Sequence, residues 1–127
     1  MERVTQFKSD FFVEKIGTPE QINDLKKQIL EAKDNDSSPM LMNNDNCWRS
    51  NTTYDNIEWL TNFIRDLTAH ACDHYFAHDS TFKDNVPERK ILLDYWTNVN
   101  EPNSRNVTHS HVADSFTCVY YVQGKDT

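Results

Sequence analysis

Lys90-Ile91-Leu92-Leu93-Asp94-Tyr95-Trp96-Thr97-Asn98-Val99-Asn100, with His109-Ser110-His111 and Phe116-Thr117-Cys118-Val119-Tyr120-Tyr121 behind it, decides how this chain is read. In an extended strand successive side chains alternate between faces. Ile91, Leu93, Tyr95, Thr97 and Val99 then form one apolar wall, while Leu92, Asp94, Trp96 and Asn98 line the other. Residues 101–106 predict a connecting turn. A short strand is expected around the two histidines and another over residues 115–123. Histidines at i and i+2 of a strand share a face, so both imidazoles can reach one ion. Imidazole suits iron, zinc, copper and nickel. Asp114 lies close enough in sequence to add an oxygen ligand if its loop folds back. The plainer alternative is two surface histidines on an edge strand.

Upstream, residues 7–16 carry aromatic and β-branched side chains in partial alternation and predict a strand ending at Gly17. Thr18-Pro19-Glu20-Gln21 then has the form of a helix start, with Thr18 as cap, Pro19 in the first turn and Gln21 closing a capping box. Ile22, Leu25, Ile29 and Ala32 repeat at helical spacing, and the turn chemistry of residues 35–39 ends the helix near Asp34. Residues 40–53 read as a polar loop anchored by Trp48. A second helix is expected from Tyr54 to Phe76, because Ile57, Leu60, Ile64, Leu67, Ala71 and Tyr75 keep the same rhythm. Residues 78–89 are a polar connection.

The whole chain is 127 residues, enough for one domain with a core of its own. Twenty acidic residues against thirteen basic ones leave a net charge of -7. That balance argues against nucleic acid as a partner, which requires clustered lysine and arginine, and against anionic membrane surfaces. No apolar run approaches the length of a membrane span. The three cysteines, Cys47, Cys72 and Cys118, are scattered and form no CxxC pair, which points to a reduced, cytoplasmic setting. With glycine only at positions 17 and 124, no phosphate-cradling loop can be built.

Other constellations are weaker. His70 and His74 sit four apart on the second helix with His78 beyond it, but the glutamate of an HExxH zinc motif is missing. A solvated helix face is the better reading of that group. No GxSxG elbow occurs, and no paired carboxylates stand out for acid–base work.

The segment from Trp96 to Tyr121 resembles a family of 2-oxoglutarate/Fe(II)-dependent oxygenases of marine bacteria and bacteriophages. That family carries a W-x-N-x-N strand, an H-x-H-P turn and an S-G-x-Y-Y strand. The corresponding residues here are Trp96-Thr97-Asn98-Val99-Asn100, His109-Ser110-His111 and Thr117-Cys118-Val119-Tyr120-Tyr121. Trp48-Arg49-Ser50 is similar to the short motif that precedes the family's long helix. Two steps depart from the pattern: Val112 replaces the proline, and Thr117-Cys118 replaces Ser-Gly.

The resemblance implies an α+β domain built on a double-stranded β-helix, or jelly roll, with two supporting helices over residues 1–127. It implies Fe(II) held through His109 and His111, 2-oxoglutarate and O₂ as co-substrates, and hydroxylation of a small molecule or peptide. Asn98 and Tyr121 would neighbour the co-substrate. The distal histidine and the 2-oxoglutarate-binding arginine of such enzymes follow the Tyr-Tyr strand, so the expectation is a C-terminally truncated, incomplete domain. Unfinished strands would leave open edges through which the chain self-associates. A non-catalytic binding or self-association module is therefore the alternative reading. A cupin-like metal protein ranks below both, because the cupin glycines and glutamate are absent.

Overall fold

The computed structural model describes residues 12–37, 44–50, 52–76, 91–111 and 116–124. These form a small α+β unit: helix α1 (Pro19–Asn35), strand β1 (Asn44–Ser50), helix α2 (Glu58–Phe76) and strand β2 (Thr97–Asn106). β1 and β2 pair antiparallel into a two-stranded sheet, with α2 in the connection between them. None of the described helices is long and apolar enough to cross a membrane.

Local chemistry starts α1 where the sequence predicts. Thr18 Oγ1 accepts from the Gln21 backbone N–H at 3.2 Å, and the Gln21 side chain accepts from the Thr18 N–H at 2.8 Å. Two of the otherwise orphaned donors at the helix start are thereby satisfied. Leu25 and Ile29, one turn apart on the inner face, are buried. Each contributes roughly 1.5–3 kcal/mol through the apolar surface it removes from water. α2 begins four residues later than the apolar rhythm suggests. Asn56 adopts a φ of 55°, outside helical geometry, and the Ile57 carbonyl accepts the first helical hydrogen bonds from Leu60 and Thr61 at 2.9 and 3.0 Å.

The sheet departs most from the sequence reading. Residues 44–50, expected as loop, are β1; they pair with the strand that was anticipated, through Trp48–Val99, Arg49–Asn98 and Ser50–Thr97. Residues 101–106, expected as a turn, belong to β2. The turn chemistry survives there as a bulge: Asp45 pairs with Arg105 and Cys47 with Asn100, so Asn46 faces residues 101–104. Asn46 and Asn103 take φ of 55° and 65° within it, a region asparagine tolerates, and Pro102 has no N–H to lose.

Three other expected strands find no ladder among the described residues: residues 12–18, 107–111 and 116–124 carry no strand. Residues 7–11 lie outside the described part. Alternation of side chains creates a strand only where a second backbone supplies hydrogen bonds, and sequence periodicity does not report the partner.

Leu25, Ile29, Trp48 and Tyr54 form the core, with Ala32, Ile57, Trp59, Leu60, Tyr95, Val99, Tyr120 and Val122 packed around it. Among the described residues no side chain is below 2 % exposed, so the core is a thin layer rather than a thick interior. Polar clasps close it. Gln28 binds both backbone groups of Asp55, accepting from its N–H at 2.7 Å and donating to its C=O at 2.9 Å. The Trp48 indole donates to Asp36 at 3.0 Å, and Lys33 pairs with Glu101. Tyr120 packs edge-on to Trp59 with ring centres 5.9 Å apart and donates to the Ile16 carbonyl at 3.1 Å.

Candidate functional site

The register of the sheet sorts its side chains into two faces. Trp48 and Ser50, opposite Val99 and Thr97, turn toward the helices and are buried. Arg49 and its cross-strand neighbour Asn98 therefore occupy the other face. Trp96, two residues before Asn98, joins them. The guanidinium carbon of Arg49 lies 4.4 Å from the centre of the Trp96 ring. The alternation read from residues 91–99 is present in the burial pattern, where Leu92, Asp94 and Asn98 are exposed while Ile91, Leu93, Tyr95, Thr97 and Val99 are partly covered. Trp96 breaks the rule on its outward face and is half-buried, because Arg49 and His111 cover it.

His111 stacks on the indole of Trp96, with ring centres 5.8 Å apart and planes 10° apart. His109 meets His111 at 5.0 Å between ring centres, tilted by 57°. The two imidazoles thus come together although residues 107–111 carry no strand. His109 Nδ1 lies 2.7 Å from the Val107 carbonyl oxygen. A carbonyl only accepts, so Nδ1 is the donor in this contact, and in the neutral ring the lone pair falls on Nε2. That arrangement, one ring nitrogen held by a carbonyl and the other left as a donor atom, is the usual support of a metal-binding histidine.

No family model, curated protein or solved structure matches this chain. What the residues can do is thus argued from their geometry alone.

Two imidazoles sharing one ion each place a nitrogen at about 2.0–2.1 Å from it, which sets their ring centres roughly 4.5–5.2 Å apart at right-angled to tetrahedral geometry. The observed 5.0 Å fits that range. The donor set supplies two ligands. Among the described residues no group of three or more His, Cys, Asp or Glu side chains gathers around one point. Asp114, the further ligand considered from the sequence, lies outside the described residues, as does His78.

Of the remaining candidates, Asn98 is on the same face as Arg49, and its side chain is exposed. Tyr121 is 79 % exposed, whereas its neighbour Tyr120 turns inward onto Trp59. His70 and His74 are both exposed, as a solvated helix face requires. Phe12 packs edge-on to both, with ring centres 6.0 and 6.2 Å away and planes near perpendicular. The cysteines are free thiols. Burial pushes the Cys47 thiol up, against weaker opposing pulls from the Val99 backbone and from Lys33, so it is held in its unreactive protonated form.

Arg49 is the residue that sequence reasoning undervalued. It appeared only inside a short motif, on a segment expected to be loop. Cys47-Trp48-Arg49-Ser50 does contain the signal, an inward tryptophan flanked by residues that face the other way, but it is too short to stand above chance.

Proposed function

We propose that this chain carries the histidine edge of a 2-oxoglutarate/Fe(II)-dependent oxygenase. His109 and His111 hold the iron, and a third protein ligand comes from Asp114 or from another residue outside the described ones. When bound, the iron supplies oxidation of a C–H bond with 2-oxoglutarate and O₂ as co-substrates. The substrate is a small molecule or peptide, and the compartment is cytoplasmic. In this reading β1 and β2 are one antiparallel pair of a double-stranded β-helix, with α1 and α2 on its supporting side. Asn98 and Tyr121 are assigned to the neighbourhood of the co-substrate.

One observation carries the reading: two imidazoles 5.0 Å apart, one of them fixed by a carbonyl on its Nδ1. The residues of this chain perform three tasks in it. Val107 selects the tautomer of His109, Trp96 stacks on His111 and orients its ring, and Arg49 stacks on the same indole.

The test is anaerobic addition of Fe(II) and 2-oxoglutarate, followed by visible absorption. A charge-transfer band is expected in the wild type. His109→Ala and His111→Ala abolish it, and His74→Ala leaves it in place. Absence of the band from wild-type protein at saturating iron sinks the proposal.

A second reading, a non-catalytic self-association module, draws on a separate observation. Among the described residues the sheet has two strands, and Leu92, Val119 and Tyr121 are 81, 66 and 79 % exposed. Open backbone edges beside exposed apolar side chains invite a second copy. Light scattering across a hundredfold range of concentration separates the readings: a constant monomer mass excludes the module.

A further inference from the structure

We propose that Asn103 is a self-modification site: the backbone nitrogen of Ser104 attacks its side-chain amide, leaving aspartyl and isoaspartyl forms within the bulge of β2. This chemistry needs only water and is independent of the histidine pair.

An asparagine amide is open to such attack where the next residue is small and its backbone N–H is not already engaged. The chain has no Asn–Gly step and a single Asn–Ser step, Asn103–Ser104. Two other described asparagines share its positive φ, and both are blocked. Asn46 precedes Cys47, which is buried and paired with Asn100. Asn56 precedes Ile57, whose branched Cβ crowds the attacking nitrogen. The Asn–Asp step at Asn35 is closed by hydrogen bonds. There the Asp36 N–H donates to the Lys33 carbonyl at 3.3 Å, and the Asn35 amide donates to the Glu31 carbonyl at 2.8 Å.

Asn103 differs at each of these points. It is exposed, and residues 101–104 stand outside the paired register of the ladder. Its φ is 65°. The five-membered imide formed by the attack contains the Cα–C bond and so fixes ψ, whereas φ lies outside the ring. Ring closure therefore calls for rotation about ψ and the side chain while the positive φ persists.

In the first step the Ser104 nitrogen gives its proton to solvent and bonds to Cγ of Asn103. The Cγ–Nδ2 bond breaks, and ammonia leaves with a proton from water. Water then opens the imide. Opening at Cγ gives an aspartyl side chain, and opening at the main-chain carbonyl routes the backbone through Cγ and lengthens it by a methylene. Either product adds a negative charge between Glu101, which pairs with Lys33, and Arg105, which is opposite Asp45.

The experiment incubates the whole chain in warm, mildly alkaline ¹⁸O-water and follows each asparagine by peptide mapping and mass spectrometry. Position 103 is expected to lose its amide and take up solvent oxygen about tenfold faster than Asn35, Asn46 or Asn56. An isoaspartyl-specific methyltransferase should label the same peptide. Unfolding in urea raises the rate at Asn35, because it frees the Asp36 N–H, and changes position 103 far less. Ser104→Val slows the reaction about tenfold by crowding the nitrogen. A rate at position 103 no faster than at Asn56, a rise there on unfolding as large as at Asn35, chain cleavage in place of an isoaspartyl product, or an undiminished rate in folded Ser104→Val each overturns the proposal. Should Ser104→Val not fold, the comparison among the wild-type asparagines decides alone.

Discussion

The indole of Trp96 and the imidazole of His111 lie nearly parallel, 10° apart in plane and 5.8 Å between centres. Fifteen positions of chain separate them, yet the two rings meet face to face. Arg49 covers the same indole, so one aromatic ring organises a cation and an imidazole together.

Trp96→Leu removes that shared support. If the histidine pair binds metal as proposed, loss of this support is expected to lower that affinity about tenfold, the lower end of what loss of an orienting neighbour costs. A Co(II) titration followed by visible absorption measures this. Equal affinity in wild type and variant means the indole does not orient the ring.

Gly17→Ala should be strongly destabilising. Gly17 adopts a φ of 88°, and an added Cβ would stand 2.9 Å from the Trp59 ring and 3.2 Å from Ile22. Left-handed backbone and a clash with the ring combine to cost roughly 2–4 kcal/mol. Urea unfolding followed by circular dichroism reads the shift. A midpoint unchanged from wild type contradicts the close approach.

Gln28→Glu tests the clasp between α1 and the start of α2. The amide donates to the Asp55 carbonyl and to Asp24, and its oxygen accepts from the Asp55 N–H. A carboxylate keeps only the accepting half and faces Asp24 with like charge. Loss of about 1–2 kcal/mol is expected, partly recovered in the Gln28→Glu/Asp24→Asn double variant. Hydrogen exchange at the Asp55 amide should quicken in parallel.

Alkaline pH should loosen the fold through Tyr54. Burial pushes its phenol above the ordinary value of 10.0, against the hydrogen bond with Thr97 and helped by Tyr95. A group that holds its proton more tightly when folded contributes its full stability below the unfolded pKa. That contribution is then lost as pH rises through the folded pKa. Stability is therefore level on this account up to pH 10 and declines above it, with Tyr120, also pushed up by burial, adding to the fall. Tyr54→Phe should flatten part of the decline while lowering neutral-pH stability, since Thr97 loses its phenolic partner. An alkaline unfolding curve identical in both proteins sinks this assignment.

Much of the helical framework was legible in the residues. Thr18-Pro19-Glu20-Gln21 specified a start to within one position, because a capping box is a contact between residues three apart. The rhythm of Ile57, Leu60, Ile64, Leu67 and Ala71 marked the inner side of α2 for the same reason: helical neighbours are sequence neighbours. Alternation from Ile91 to Val99 likewise told which side chains face the core.

The sequence by itself therefore determined the two helices, their inner faces and the two-sided character of residues 91–99. The tertiary structure alone decided that Asn44–Ser50 is a strand, that the anticipated turn at residues 101–106 joins β2 with a bulge at 101–104, and that Arg49, Trp96 and His111 meet. Strand pairing and ring stacking join residues tens of positions apart, and what stabilises them is the partner's backbone and surface. That information lies in the packing of the whole chain, where no local pattern of side chains can carry it.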